Sequence, residues 1–405
     1  VFRDVSGAAL TAASLNHARF ATIALGTPQV IYVIHSNGVN NPEQWDATTA
    51  AFVAMTGTPP LWSDLTTISE HIIGIVPPFD IRWGNTQVIN TWPAANVRVL
   101  SEGGDRLQAI GSLGIQAGVI YKTRSIWNVV VTGSGTESEY FRFEHRGNVE
   151  GPASPAAVIN VDEAAHLYMT SQGRVGYYNG ARHFWVAEGT WPLVAAEVDQ
   201  TNMNLCFGAF DPAFRVAVFC YPRTTDDVGN LTGWVLVMLP NPKEGYEDWI
   251  SFHGRSAVTL SAGGALRFGA QSALLAGGST PRVYTWGGVS PADDDDGSVI
   301  TGNWQTGLVA TPGLEFFTLE AYETFALRGG GYGSLTVKPV SSYVLDTEGG
   351  TVGTSKTVDL TETTVLGSPK GGDIRGRFFG LRYEFTTPIT LKWLGARLSA
   401  TLRKG

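Results

Sequence analysis

Apolar positions fall in short runs of roughly four to eight residues, divided by clusters of Gly, Asn, Asp and Ser. The stretch Arg106–Gly133 shows the unit. Val119–Tyr121 and Ile126–Val131 read as strands on either side of the polar turn Lys122–Ser125. The second run barely alternates, which predicts a strand buried on both faces and too short to cross a membrane.

The same texture recurs along the chain. Strands are expected over Gln29–His35, His71–Val76 and Gln87–Asn90. Ala8–Phe20 is open to a short helix or a strand, and 1–30 forms an N-terminal segment that could serve as an interface arm. Asn41 with Pro42 behind it predicts a helix carrying Trp45 and Phe52, stopped at Gly57. Ala156–Asn160, His166–Met169, Val175–Tyr178 and His183–Val186 make four strands, with Asn179-Gly180 as a hairpin turn. A second set comprises Leu205–Phe210, Phe214–Tyr221, Gly233–Leu239 and Trp249–Phe252. A third is Ser256–Leu260, Ala265–Phe268, Ser272–Leu275 and Arg282–Trp286. Four short strands in one continuous stretch are what a propeller blade requires. From about residue 300 the strands lengthen and alternate, as in Leu335, Val337 and Phe379, Leu381, Tyr383, which predicts one wet and one packed face.

The expected fold is therefore all-β: a β-propeller of about five to seven blades over 31–300, with an additional β-sandwich-like platform over 301–405 that could also close the propeller, and few helices.

Composition sharpens this. The chain has 405 residues, 43% hydrophobic, enough for a large core, and its 49 glycines and 20 prolines fit frequent turns. A net charge of −8 argues against a surface that grips nucleic acid. With no long apolar span and no signal-peptide pattern, a soluble chain made in a cytoplasm is expected. Cys206 and Cys220 lie equally far from Ala213, so a simple hairpin would set them opposite each other; they read as buried thiols, with a cross-strand bridge as the alternative.

Candidate chemistry is sparse. No nucleophile elbow, zinc-binding, phosphate-binding or dinucleotide motif occurs, and the seven histidines are scattered. No catalytic residue, cofactor or metal site is expected. His166 and His183 read as packed, hydrogen-bonded groups. Asp293, Asp294, Asp295 and Asp296 precede Gly297 but miss the spacing of a calcium-binding helix–loop–helix, so they read as a solvated loop, as do Asp226 and Asp227. Among the 12 tryptophans, Trp127, Trp185, Trp234 and Trp286 sit in apolar strands, whereas Trp45, Trp83 and Trp92 lie near loops and are the expected exposed ones.

Five pieces in order resemble the tail hub, or nozzle, proteins of short-tailed bacteriophages, including packaged-DNA stabilisation proteins. They are Asn40–Asp46 (NNPEQWD), the Arg106–Val131 hairpin, Ser154–Tyr178, Phe210–Tyr221 and Gly376–Arg403. The resemblance implies a propeller with a β-rich platform, assembled as a ring of about six copies below the portal and its adaptor. Such a ring belongs to the virion tail, is put together in the host cytoplasm, retains packaged DNA and lets it leave. Implied partners are further copies of the chain, the portal adaptor, tail fibre or plug proteins, and genomic DNA passing through the lumen without sequence recognition. No membrane and no bond chemistry enter. Asp226, Asp227 and Asp293–Asp296 are then candidate channel or rim acids, placed to repel phosphate. Two other readings stand beside it: a propeller that binds a receptor or carbohydrate through exposed aromatics, and a propeller glycoside hydrolase with two carboxyls in an axial pocket.

Overall fold

Short β-branched and aromatic runs broken by turn residues pair with their sequence neighbours, and the chain does this repeatedly. The computed structural model describes residues 18–46, 48–133, 135–162, 164–212, 215–240 and 248–268, and beyond these the strands named below. The chain divides into two compact units, 1–287 and 288–405, against the boundary expected near residue 300.

In the first unit, β1 (Arg19–Leu25), β2 (Val30–Ser36), β3 (Glu43–Trp45) and β4 (Val53–Ala54) form one antiparallel sheet. The second holds β5 (Asp64–Ile68), β6 (His71–Val76), β7 (Asp80–Trp83) and β8 (Val97–Val99). The third holds β9 (Leu107–Leu113), β10 (Ala117–Lys122), β11 (Ile126–Val131) and β12 (Phe141–Gly147). The fourth holds β13 (Val158–Val161), β14 (Ala165–Met169), β15 (Val175–Tyr178) and β16 (His183–Val186). A single α-helix among the described residues, α1 (Trp191–Glu197), leads to the fifth sheet. That sheet runs β17 (Phe207–Asp211), β18 (Val216–Tyr221), β19 (Leu231–Met238) and β20 (Ile250–Phe268), and continues into β21 (Gln271–Gly278) and β22 (Val283–Trp286).

These are the five blades of a β-propeller, each strand paired to its neighbour in sequence. The first strands β1, β5, β9, β13 and β17 pack side by side in that order. Buried side chains fill the seams between sheets. Ile23, Ile34 and Trp62 lie with Leu65 and Ile72 in the first, and Ile73 and Trp83 with Ile110 and Ile120 in the second. Tyr121 meets Tyr168 in the third, and Leu167 meets Phe219 in the fourth. β6 and β10 are buried nearly throughout because sheets cover both their faces, whereas Trp127, Val130 and Val131 of β11, expected to be buried on both faces, are half-buried. The edge strand β12 presents Arg142, Glu144 and Arg146, with Arg146 Nη2 2.8 Å from Glu144 Oε2, and charge on an edge discourages stray pairing.

In the second unit β23 (Gly302–Gln305), β30 (Phe378–Phe385), β26 (Ser334–Ser342) and β27 (Thr351–Val352) run in that order, with β24 (Val309–Ala310) on β30 and β28 (Lys356–Asp359) on β26. β25 (Phe317–Arg328) pairs with β29 (Arg375–Gly376) and β31 (Leu391–Leu402) in a second sheet. Phe379 and Leu381 are buried, as their alternation predicts.

Several expectations need correction. The helix expected over Asn41–Gly57 is absent: β3 and β4 occupy its ends. Asp46 Oδ1 accepts from Thr48 N (3.0 Å) and Thr49 N (3.1 Å), fixing a turn where the helix would have continued. Gln87–Asn90 is a turn, with Gln87 at φ 55. The third expected strand set makes no blade of its own, because Ser256–Phe268 continues β20 and extends the fifth sheet. Trp83 is buried, its indole N–H donating to Glu137 O at 2.9 Å. Cys220 pairs with Phe207, not Cys206, so the hairpin is shifted by one residue and the thiols are free on opposite faces.

Candidate functional site

Polar side chains are concentrated at the seams. Asp64, fully buried at the start of β5, accepts from Arg19 Nε (Oδ1, 2.8 Å), Leu65 N (3.1 Å) and Ile110 N (Oδ2, 2.8 Å). One carboxylate therefore joins three blades. Burial pushes its pKa up, against the pull of Arg19.

Between the second and third blades, His71 Nε2 lies 2.8 Å from Glu137 Oε2 and His71 Nδ1 2.7 Å from Ser69 O. Thr86 Oγ1 donates to Glu137 Oε1 at 2.8 Å. The turn here has Ser69 and Glu70 at φ 47 and 64, a conformation usually supplied by Asn-Gly. Between the third and fourth blades, His166 Nε2 donates to Ser112 O (2.9 Å) and Nδ1 accepts from Tyr121 OH (3.0 Å). Burial lowers the His166 pKa to about 4, so the ring is neutral with both nitrogens satisfied.

Beside the fifth blade, Glu197 ends α1. Its Oε1 accepts from Tyr221 OH (2.7 Å) and His253 Nε2 (2.9 Å), and its Oε2 from Arg223 Nε and Arg255 Nε, both at 3.0 Å. Burial favours the neutral acid, but the bonds from His253 and Tyr221 and the nearby positive charge outweigh it and hold the carboxyl at about 2. Glu, His and Tyr together are the residue types of acid–base catalysis. Here each carboxylate oxygen already takes two donors, and both the imidazole and the phenol face that carboxylate. The cluster fastens the helix to the sheet.

The residues singled out in the sequence divide. Asp226 Oδ2 accepts from Arg223 N (2.9 Å) and Thr232 N (3.0 Å), and its Oδ1 from Thr232 Oγ1 (2.7 Å), so its charge is spent shaping the β18–β19 loop. Asp227 beside it is exposed. Asp293, Asp294, Asp295 and Asp296 lie outside the described residues. His166 and His183 are both hydrogen-bonded, His183 Nε2 to Tyr168 OH at 2.8 Å. Among the described residues, no three His, Cys, Asp or Glu side chains gather as a metal site, and no helix is long and apolar enough to cross a membrane.

A feature missed in the sequence is a cleft of about 250 Å³ beside the contact of Asp162 with Arg215, lined also by Ala165, Tyr177, Pro240 and Trp249. Arg215 Nη1 pairs with Asp162 Oδ2, and Arg215 Nε donates to Pro240 O at 3.3 Å. Tyr177 and Trp249 meet edge to face with centroids 5.3 Å apart, and Phe184 adds a third ring 4.8 Å from Tyr177. These residues come from separate strands and turns, so no local motif announces them.

Sheets, seams and cleft together define a five-bladed β-propeller. No family profile and no curated protein matches the chain. Among solved structures it is similar to Saccharomyces cerevisiae Sqt1, at 10% identity and TM-score 0.36, over 65% of this chain and 94% of that one. It is also similar to the SapL1 lectin in complex with alpha methyl fucoside, at 11% identity and TM-score 0.35, over 66% and 92%. Neither likeness carries an argument about function.

Proposed function

We propose that the chain is a wall subunit of a virion tail, a hub or nozzle ring that extends the portal–adaptor channel, retains packaged DNA and releases it, without catalysing a reaction. The observation that carries this reading is the face of the first blade opposite the one packed on the second. There Phe20, Thr22 and Ala24 of β1 stand beside Ile31 and Val33 of β2 and Trp45 of β3. Phe20 is 58% and Ile31 62% exposed, and Phe20 lies 6.5 Å from the Phe52 ring. An exposed apolar sheet face of this kind marks a contact surface, and copies joined through unlike faces close into rings. The seams support the same reading, since their buried ionisable groups are spent on joining blades and suit a part under mechanical load. The five-piece resemblance supplies the assignment to a tail, and with it the adaptor, fibre or plug and passing DNA as partners.

Native mass spectrometry and negative-stain imaging of the purified chain, over a rising concentration series, test this. The expected result is a closed homo-oligomer that Phe20→Glu with Ile31→Glu disperses while the melting temperature holds. A chain that stays monomeric at every concentration, with the paired substitutions changing nothing, would count against it.

A further inference from the structure

We propose that the cleft between the fourth and fifth blades binds a neutral, hydroxyl-rich ring, a pyranose unit of a glycan. Three features on its walls converge on that chemistry. Trp249 and Tyr177 line it, and Phe184 beside them is exposed; such ring surfaces offer a face to the C–H side of a sugar. Asp162 and Arg215 contribute a carboxylate and a guanidinium already paired to each other, with side chains 41% and 32% exposed. The pair nets no charge yet leaves part of a carboxylate and of a guanidinium accessible, which suits adjacent hydroxyls and gives no advantage to an anion or a cation. At about 250 Å³ the cleft falls just below the range for drug-sized ligands, room for a single ring.

Backbone geometry fixes this arrangement. Asp162 and Arg215 both sit at φ 53 in their turns, a conformation residues other than glycine adopt reluctantly, and it brings side chains from two blades into contact across the seam. The inference uses none of the residues on the first-blade face, so its failure would leave the ring reading untouched, and the reverse holds too.

Saturation-transfer NMR on the full chain tests it, with the methyl pyranosides of glucose, galactose and mannose as probes and glucuronate and glucosamine as charged controls. Transfer to the ring C–H protons of at least one neutral glycoside is expected, with a dissociation constant on the order of millimolar. Trp249→Ala and Asp162→Asn should each weaken it about tenfold. Asp162 is a partly exposed turn residue, so Asp162→Asn serves even if Trp249→Ala fails to fold. No transfer to any neutral glycoside, binding that survives both substitutions, or a preference for a charged sugar would each overturn the proposal.

Discussion

The Asp64 carboxylate accepts the Ile110 amide hydrogen at 2.8 Å while holding Arg19 on its other oxygen, so that a residue of the second blade is bonded to the first and the third. Removing it strands a guanidinium and a buried N–H together. Asp64→Ala is expected to cost about 3–5 kcal/mol, the range for breaking a buried ion pair, and Asp64→Asn less, because the amide keeps one acceptor. Urea midpoints of the three proteins check the order.

Acid should loosen the seam between the third and fourth blades early. The His166 pKa is lowered from 6.5 to about 4 in the folded chain, so between those values the unfolded chain binds a proton that the native one refuses. Stability therefore falls as pH falls, by roughly 2 kcal/mol at pH 5 and about 3 kcal/mol at pH 4. Glu197 adds a second loss lower down, between 4.5 and about 2, as its ion pairs protonate. Melting temperatures across this range should show the first slope in the wild type and a flatter one in His166→Gln.

Cys206 and Cys220 should resist chemistry until the fold opens. Burial pushes both thiols well above the ordinary range, and their one-residue offset keeps them from bridging. Alkylation followed by mass spectrometry should find neither labelled in native buffer and both labelled in guanidinium, with no mass change on prior reduction. Labelling of either in native buffer would mean the seam breathes.

Two glycines should behave oppositely. A Cβ at Gly151 would lie 1.9 Å from the Lys122 carbonyl oxygen, a backbone atom, whereas one at Gly147 meets nothing within 4 Å. Gly151→Ala is expected to lower stability by about 1–3 kcal/mol, and Gly147→Ala to leave it nearly unchanged. Thermal melts of the two variants decide this.

Strands with strong local cause were legible in the sequence. β11 falls on Ile126–Val131 and β6 on His71–Val76 because each run is apolar and bounded by turn residues, though β11 is only half-buried at Trp127, Val130 and Val131. What failed was settled by contacts between distant positions. Asn41-Pro42 has the composition of a helix start, yet Asp46 turns the chain and Trp45 lies on the sheet, its indole N–H reaching Thr49 O at 3.1 Å. The helix α1, with Pro192 in its first turn, carried a readable signal that lay between two strand-rich stretches. Nothing near Glu197 or Asp162 in sequence points to Arg255 or Arg215. The first pair exists only once the helix docks on the fifth sheet, and the second only once the fourth and fifth blades pack.

No described strand from one end of the chain is exchanged into the sheet at the other, and each blade is a single uninterrupted stretch. A nascent polypeptide can thus complete each sheet as it leaves the ribosome, before the next is made. Neighbouring blades are held together across their seams, by packed side chains and by crossing bonds such as Ser69 N to Ile115 O at 2.7 Å.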